Sequence, residues 1–195
     1  PDSDSIRPAT PSLHWVDTGS DANDGVSSAT MVTVIGLETG ASWEYSLDGG
    51  VTWQGGSNLP GNAGPGFMLA ANVRYALGAV QVRQTDAAGN PSGTVLSALA
   101  WTIDNTAPAV SLSSSSATLK VGETATITLV FSEAPAQLPS VDSAVGSFSA
   151  WTASADLKTY TATFTPRTNT KGTTAFSLGA WADAAGNAGA SDSQT

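Results

Sequence analysis

Apolar and polar residues alternate one for one along several short stretches of this chain, and a period of two leaves little choice of fold. In "TATITLVFS" Ile127, Leu129 and Phe131 fall on one side and Thr126 and Thr128 on the other. In "KTYTATFTP" Tyr160, Ala162 and Phe164 oppose Thr159, Thr161, Thr163 and Thr165. "SWEYSL" sets Trp43, Tyr45 and Leu47 against Ser42, Glu44 and Ser46, and "GAVQVRQT" sets Val80 and Val82 against Gln81 and Arg83. A strand sends successive side chains to opposite faces, so each stretch reads as a half-buried strand. Gly, Pro, Asn and Asp separate these stretches, and helical patterning is almost absent. The expectation is an all-β protein built from antiparallel β-sandwiches.

The chain also repeats itself. "DAAGN" occurs at Asp86–Asn90 and, 97 residues later, at Asp183–Asn187 of a 195-residue chain. A period near 100 residues is the length of one sandwich domain, so two tandem domains are expected, 1–104 and 105–195. The junction is "AWTIDNTAPAVSL". Pro108 fixes its own φ and biases Ala107 towards an extended backbone, which makes a short, stiff connection. "RPATPSLHW" resembles a second passage of this kind into a strand, and the opening "PDSDSIRP" reads as the start of a fragment of a longer chain. Asp48-Gly49-Gly50 in "SLDGGVTW" signals a hairpin turn, and 55–66, "GGSNLPGNAGPG", reads as a long loop.

Charge and composition narrow the function. The chain carries 16 Asp and Glu against 7 Lys and Arg, a net charge of −9, with no basic patch for nucleic acid or an anionic membrane. A carboxylate surplus serves solubility or binds cations. With no Cys, neither disulfides nor thiol chemistry is available. No apolar run is long enough for a membrane helix. His14 is the only His, which leaves zinc ligation and a catalytic triad without material, and no phosphate-binding glycine motif is present. Trp15, Trp43, Trp101, Trp151 and Trp181 sit in strand-like stretches and are expected in the cores. Trp53, ahead of the 55–66 stretch, is the candidate for stacking on a ligand.

Asp-x-x-Gly-Asn is first of all a turn, with Asp opening it and Gly taking the conformation other residues avoid. Asp and Asn are also hard oxygen donors, the type that calcium collects six to eight of. Asp104 and Asn105 at the junction, Glu133 after "ITLVFS", and Asp17, Asp21 and Asp24 in "VDTGSDANDG" are further acids in loops or at strand ends.

The ordered set "DNTAPAV" (104–110), "LKVGETATITLVFSEAP" (119–135), "YTATFTP" (160–166) and "DAAGNAG" (183–189) resembles a bacterial Ig-like repeat of the large calcium-dependent RTX surface adhesins. "DTGSDANDGV" (17–26), "GASWEYSLDGGVTW" (40–53) and "VQVRQTDAAGN" (80–90) resemble a neighbouring repeat type of the same proteins. The resemblance implies Ig-like sandwiches displayed at the bacterial cell surface, with Ca²⁺ between domains. Carried over residue by residue, it implies Asp86, Asp104, Glu133 and Asp183 as metal ligands, with Asp17 and Asp24 as further candidates. Asn90, Asn105 and Asn187 serve the turn or the metal. Asp86 is expected to join Asp104 at the junction, and Asp183 to act towards a following neighbour. The function so implied is a calcium-stiffened extender whose partners are adjacent Ig-like domains. The alternatives are a module binding a host glycan or protein through Trp53 and its loop, and an accessory domain of a secreted hydrolase.

Overall fold

The computed structural model describes residues 4–190, with Asn62 in backbone only, and, again in backbone only, the strand residues 193–194. The chain divides into two compact units after Asn105.

Unit 1 contains β1 (Ser12–Trp15), β2 (Val26–Ser27), β3 (Met31–Ile35), β4 (Ser42–Ser46), β5 (Gln54–Gly55), β6 (Ser57–Asn58), β7 (Pro65–Met68), β8 (Arg74–Tyr75), β9 (Gln81–Thr85), β10 (Val95–Leu96) and β11 (Trp101–Ile103). One sheet runs β1-β3-β7-β6 and the facing one β10-β9-β4-β5. A small third sheet, β2-β11-β8, includes the parallel pair β2 and β11. The register places Trp43 opposite Gln84 and Tyr45 opposite Val82. Val32, Val34 and Phe67 of one sheet meet Trp43, Val80 and Val82 of the other in a buried core. Each such apolar side chain contributes roughly 1.5–3 kcal/mol on burial. Trp15 stacks on Trp101 with ring centroids 4.7 Å apart.

The 55–66 stretch is not the long loop expected from its composition. It carries β5, β6 and a short 3₁₀ turn, Pro60–Asn62, and it buries Leu59. Its glycines permit this packing: a Cβ on Gly56 would collide with the Trp43 indole. Glycine here reflects close approach of backbone to an aromatic ring rather than looseness.

Unit 2 contains β12 (Val110–Ser114), β13 (Ala125–Phe131), β14 (Val141–Ser143), β15 (Gly146–Phe148), β16 (Thr152–Ala153), β17 (Thr159–Pro166), β18 (Phe176–Leu178) and β19 (Ser193–Gln194). The sheets are β12-β13-β17-β15 and β14-β18-β19, with β16 also pairing β17. In Ig lettering these are the ABED and CFG sheets. Strict alternation along β13 buries Ala125, Ile127, Leu129 and Phe131, which pack with Phe164, Phe176, Leu178 and Trp181. The all-β, Ig-like expectation therefore holds.

Each unit has a proximal end, where the chain comes in, and a distal end. In unit 1 the incoming segment 4–11 lies against Gln84, whose Nε2–H donates to the Ala9 carbonyl at 2.7 Å. The distal end is where the Asp104 N–H donates to the Ser27 carbonyl at 2.9 Å.

Candidate cation-binding carboxylates

The two DAAGN turns have the same internal geometry. Each follows a strand-like stretch and closes with a backbone bond from the Asp N–H to the Asn carbonyl, 3.1 Å in both. Gly89 and Gly186 have φ of 93° and 89°, the left-handed region that glycine enters without strain. Asp86 Oδ1 accepts from the N–H groups of Ala88 (2.9 Å) and Asn90 (2.8 Å), and its Oδ2 accepts from Asn90 Nδ2–H (2.8 Å). Asp183 repeats the pattern, Oδ1 accepting from the Asn187 N–H and Oδ2 from Asn187 Nδ2–H, both at 2.9 Å. Both Asp residues are buried. The Asn90 amide and then the Asn90 backbone N–H hold the Asp86 carboxyl below the usual range, against the opposing effect of burial. The Asn residues thus serve the turn, and Asp86 Oδ2, which accepts one hydrogen bond from Asn90, keeps a lone pair for another partner.

The strands carry Asp86 and Asp104 to opposite ends of unit 1, which corrects the expectation that they meet at the junction. β9 delivers Asp86 to the proximal end, where Asn90 Nδ2–H donates to the Asp4 carbonyl at 3.0 Å. β11 delivers Asp104 to the distal end, beside Ser27. There Asn105 also serves backbone: its N–H donates to Asn72 Oδ1 (2.8 Å) and its Nδ2–H to the Ser28 carbonyl (2.6 Å). The sequence repeat conceals this, because the chain between Asn90 and Asp104 runs from one end of unit 1 to the other before unit 2 begins.

In unit 2 the second turn likewise sits at the proximal end, so Asp183 does not face a following neighbour as expected. Ala109 lies beside the end of β13: the Ser132 N–H donates to its carbonyl and its own N–H to Ser132 Oγ, both at 2.9 Å. Pro135 then bridges to Asp183, and the Ala136 N–H donates to the Ala182 carbonyl at 2.9 Å. This brings Glu133 and Asp183 together, with carboxylate oxygens within 4.8 Å. Sequence separation of 50 residues hides the pair; only the strand pairing assembles it.

A separate acid cluster occupies the 17–25 loop of unit 1. Asp17 Oδ2 accepts from the Gly25 N–H at 2.8 Å. Its Oδ1 is buried and accepts no hydrogen bond among the described residues. Desolvation, and then the nearby charges of Asp24 and Asp21, push the Asp17 carboxyl up, partly offset by the Gly25 bond. Asp24 and Asp21 each accept from a backbone N–H two residues on, Val26 at 2.8 Å and Asn23 at 3.0 Å. This unpartnered oxygen is thus buried beside like charges, which costs free energy unless something satisfies it.

Trp53 is held within its hairpin. Its Nε1–H donates to the Gly50 carbonyl at 3.0 Å, and the Arg83 guanidinium covers the ring at 3.9 Å while pairing with Glu44 at 2.9 Å. A ligand stacking on that face would have to displace Arg83. Two roles are not evident from the sequence pattern, that of Asp48 inside its hairpin and that of Gln84 at the proximal end of unit 1. Asp48 accepts from the Thr52 and Ser46 side chains and is lowered to about 2, the Thr52 hydroxyl being the main cause. Gln84 is buried on the Val80–Val82 face, and that break in alternation was the available signal.

Unit 2 also holds a cleft of about 490 Å³, lined by apolar side chains such as Leu112, Phe164 and Phe176 together with several Ser and Thr, with no charged side chain in its lining. It offers no acid, base or cation site.

Residues 104–195 match the family model of the bacterial Ig-like domain. The match starts at Asp104, so the acid that precedes unit 2 in the chain belongs to the family's stretch. Comparison with curated proteins gives no match. Bacterial Ig-like domains are structural or extender modules of surface proteins, often extracellular, and are typically non-enzymatic. No helix among the described residues is long and apolar enough to cross a membrane.

Proposed function

We propose that this chain is a calcium-stiffened extender of a bacterial surface adhesin of the RTX type. The observation that carries the reading is the close pair Glu133 and Asp183 at the proximal end of unit 2, one member of it buried. Two carboxylates so placed repel, and a divalent cation turns the repulsion into attraction. Asp104 is the third ligand in this reading, since it lies five residues ahead of Ala109, which itself lies beside the end of β13. A cation held by acids from both sides of the junction would restrict how adjacent domains swing. Asp86, at the proximal end of unit 1, takes the equivalent place towards whatever precedes it. Asp17, with Asp24, is a second calcium position, supported by the unpartnered Oδ1.

Extracellular modules bind calcium with dissociation constants of about 10⁻⁴–10⁻³ M. At a hundredfold excess, one site adds about 2.7 kcal/mol. The melting temperature is therefore expected to fall on adding EDTA and to recover with Ca²⁺. Asp104→Ala is expected to reduce that recovery while both units stay folded. Melting curves that superimpose with and without millimolar Ca²⁺ would refute the reading. With the Trp53 face covered by Arg83, the ligand-binding alternative has no observation in its favour.

A further inference from the structure

We infer that the Asn of the DAAGN turn is an amide clip that grips the incoming chain, a role independent of any cation. A primary amide has two N–H donors, and Asn90 directs them apart. One donates to Asp86 Oδ2 at 2.8 Å, inside the turn; the other donates to the Asp4 carbonyl at 3.0 Å, 86 residues away in sequence. The first bond fixes the second. Asp86 Oδ1 also holds the Asn90 backbone N–H at 2.8 Å, so the side chain leaves the turn in one direction.

The incoming segment needs such a grip because it forms no ladder of its own. Residues 4–11 precede β1 and belong to no strand. Ile6 is 79% exposed, so little apolar burial holds this part of the chain. What fixes it is side-chain amides and two buried prolines. Gln84 Nε2–H takes the Ala9 carbonyl, Asn90 takes the Asp4 carbonyl, and Pro8 and Pro11 are buried. Asn90 is the outermost of these grips and sets where the segment enters.

This explains why the motif spends an Asp and an Asn together. The Asp orients, the Asn reaches, and the Gly turns the backbone so that both point the same way. The bonds of Asn187 to Asp183 repeat those of Asn90 to Asp86, so the turn of unit 2 is braced internally in the same way. Asn90 is thus a positioning residue for the linker, and Asp86 acts through it.

The chain has no cysteine, so Ile6→Cys gives a single attachment point for a nitroxide label. Its electron paramagnetic resonance spectrum reports motion of the incoming segment on the nanosecond scale. In the Ile6→Cys parent the label is expected to show a restricted component. Adding Asn90→Ala should convert it to the fast motion of a loose chain end, several-fold quicker, in EDTA and in Ca²⁺ alike. Near-ultraviolet circular dichroism of the tryptophans should stay unchanged. Asn90→Ser keeps a hydroxyl for Asp86 but is too short to reach Asp4, and should release the label equally. A label as mobile in the parent as in the variants would overturn the clip. So would release in EDTA that Ca²⁺ fully reverses, since a cation would then be the grip; that outcome would leave the calcium reading standing.

Discussion

The same five residues close the same turn in both units, yet what stands two residues before the turn differs completely. In unit 1 it is Gln84, in unit 2 Trp181. Both are buried, and both pair with the residue just past the turn: the Ser92 N–H donates to the Gln84 carbonyl at 2.8 Å, the Gly189 N–H to the Trp181 carbonyl at 2.9 Å. Unit 1 fills the position with hydrogen bonds. Gln84 donates to the Ala9 and Gly36 carbonyls and accepts from the Glu38 N–H, which ties three separate segments together. Unit 2 fills it with an aromatic ring. Trp181 meets Phe131 edge-on, centroids 4.9 Å apart, and lies so close to Gly189 that a Cβ there would collide with it. One hairpin frame is thus compatible with a polar or an apolar plug, provided the facing backbone is matched to it: Ser92, whose Oγ accepts the Gln84 N–H, or Gly189, which has no side chain.

The comparison breaks most visibly at Trp181. Trp181→Ala removes a buried indole and leaves a cavity that the sheet frame cannot close, at a cost of about 3–5 kcal/mol. Differential scanning calorimetry should show the unit 2 transition falling sharply while that of unit 1 stays in place. Gln84→Leu keeps the volume but strands two carbonyls and an N–H, so unit 1 should lose ~1–3 kcal/mol. An unchanged unit 1 transition would mean that the amide is not the plug described above.

Acid acts on unit 1 through carboxylates shifted in both directions; in unit 2 Asp156 is likewise lowered, by the Ser154 hydroxyl and then the Lys158 N–H. Asp48 titrates at about 2, against an ordinary value of 3.8, and Asp86 is also lowered. A depressed carboxylate stabilises the fold above its unfolded pKa and loses that contribution as pH falls towards the folded value. Unit 1 should therefore weaken between pH 4 and about 2, and Asp48→Asn should flatten that part of its profile. Asp17 has the opposite sign. Its carboxyl is raised, so its ionisation works against the fold as pH rises through the shifted value. Asp17→Asn should raise the unit 1 melting temperature slightly in EDTA and remove part of the gain from Ca²⁺. A variant less stable than its parent in EDTA would show that Asp17 needs no cation.

Much of this was legible along the chain. Alternation in β13 and β17 revealed both the strands and their buried faces, because side-chain direction has the period of the pleat whatever the partner strand. The five core tryptophans were readable for the same reason: Trp43, Trp101 and Trp181 are buried, and Trp15 and Trp151 pack half-buried against the cores. Which ends meet is not legible in the sequence. That Asp86 and Asp104 lie at opposite ends of unit 1, and that Asp183 lies beside Glu133, follows from strand direction and pairing, which local pattern does not encode. The 55–66 stretch misled because glycine signals loops and also close packing, as Gly56 against Trp43 does. Gln84 is polar, yet its place in line with Val80 and Val82 marks it as inward.

Under the proposed function calcium restricts motion between domains, and small-angle X-ray scattering of the whole chain measures that motion. With millimolar Ca²⁺ the distance distribution should narrow relative to EDTA, and Asp104→Ala should remove most of the difference. Superimposable profiles with and without Ca²⁺ would contradict the account.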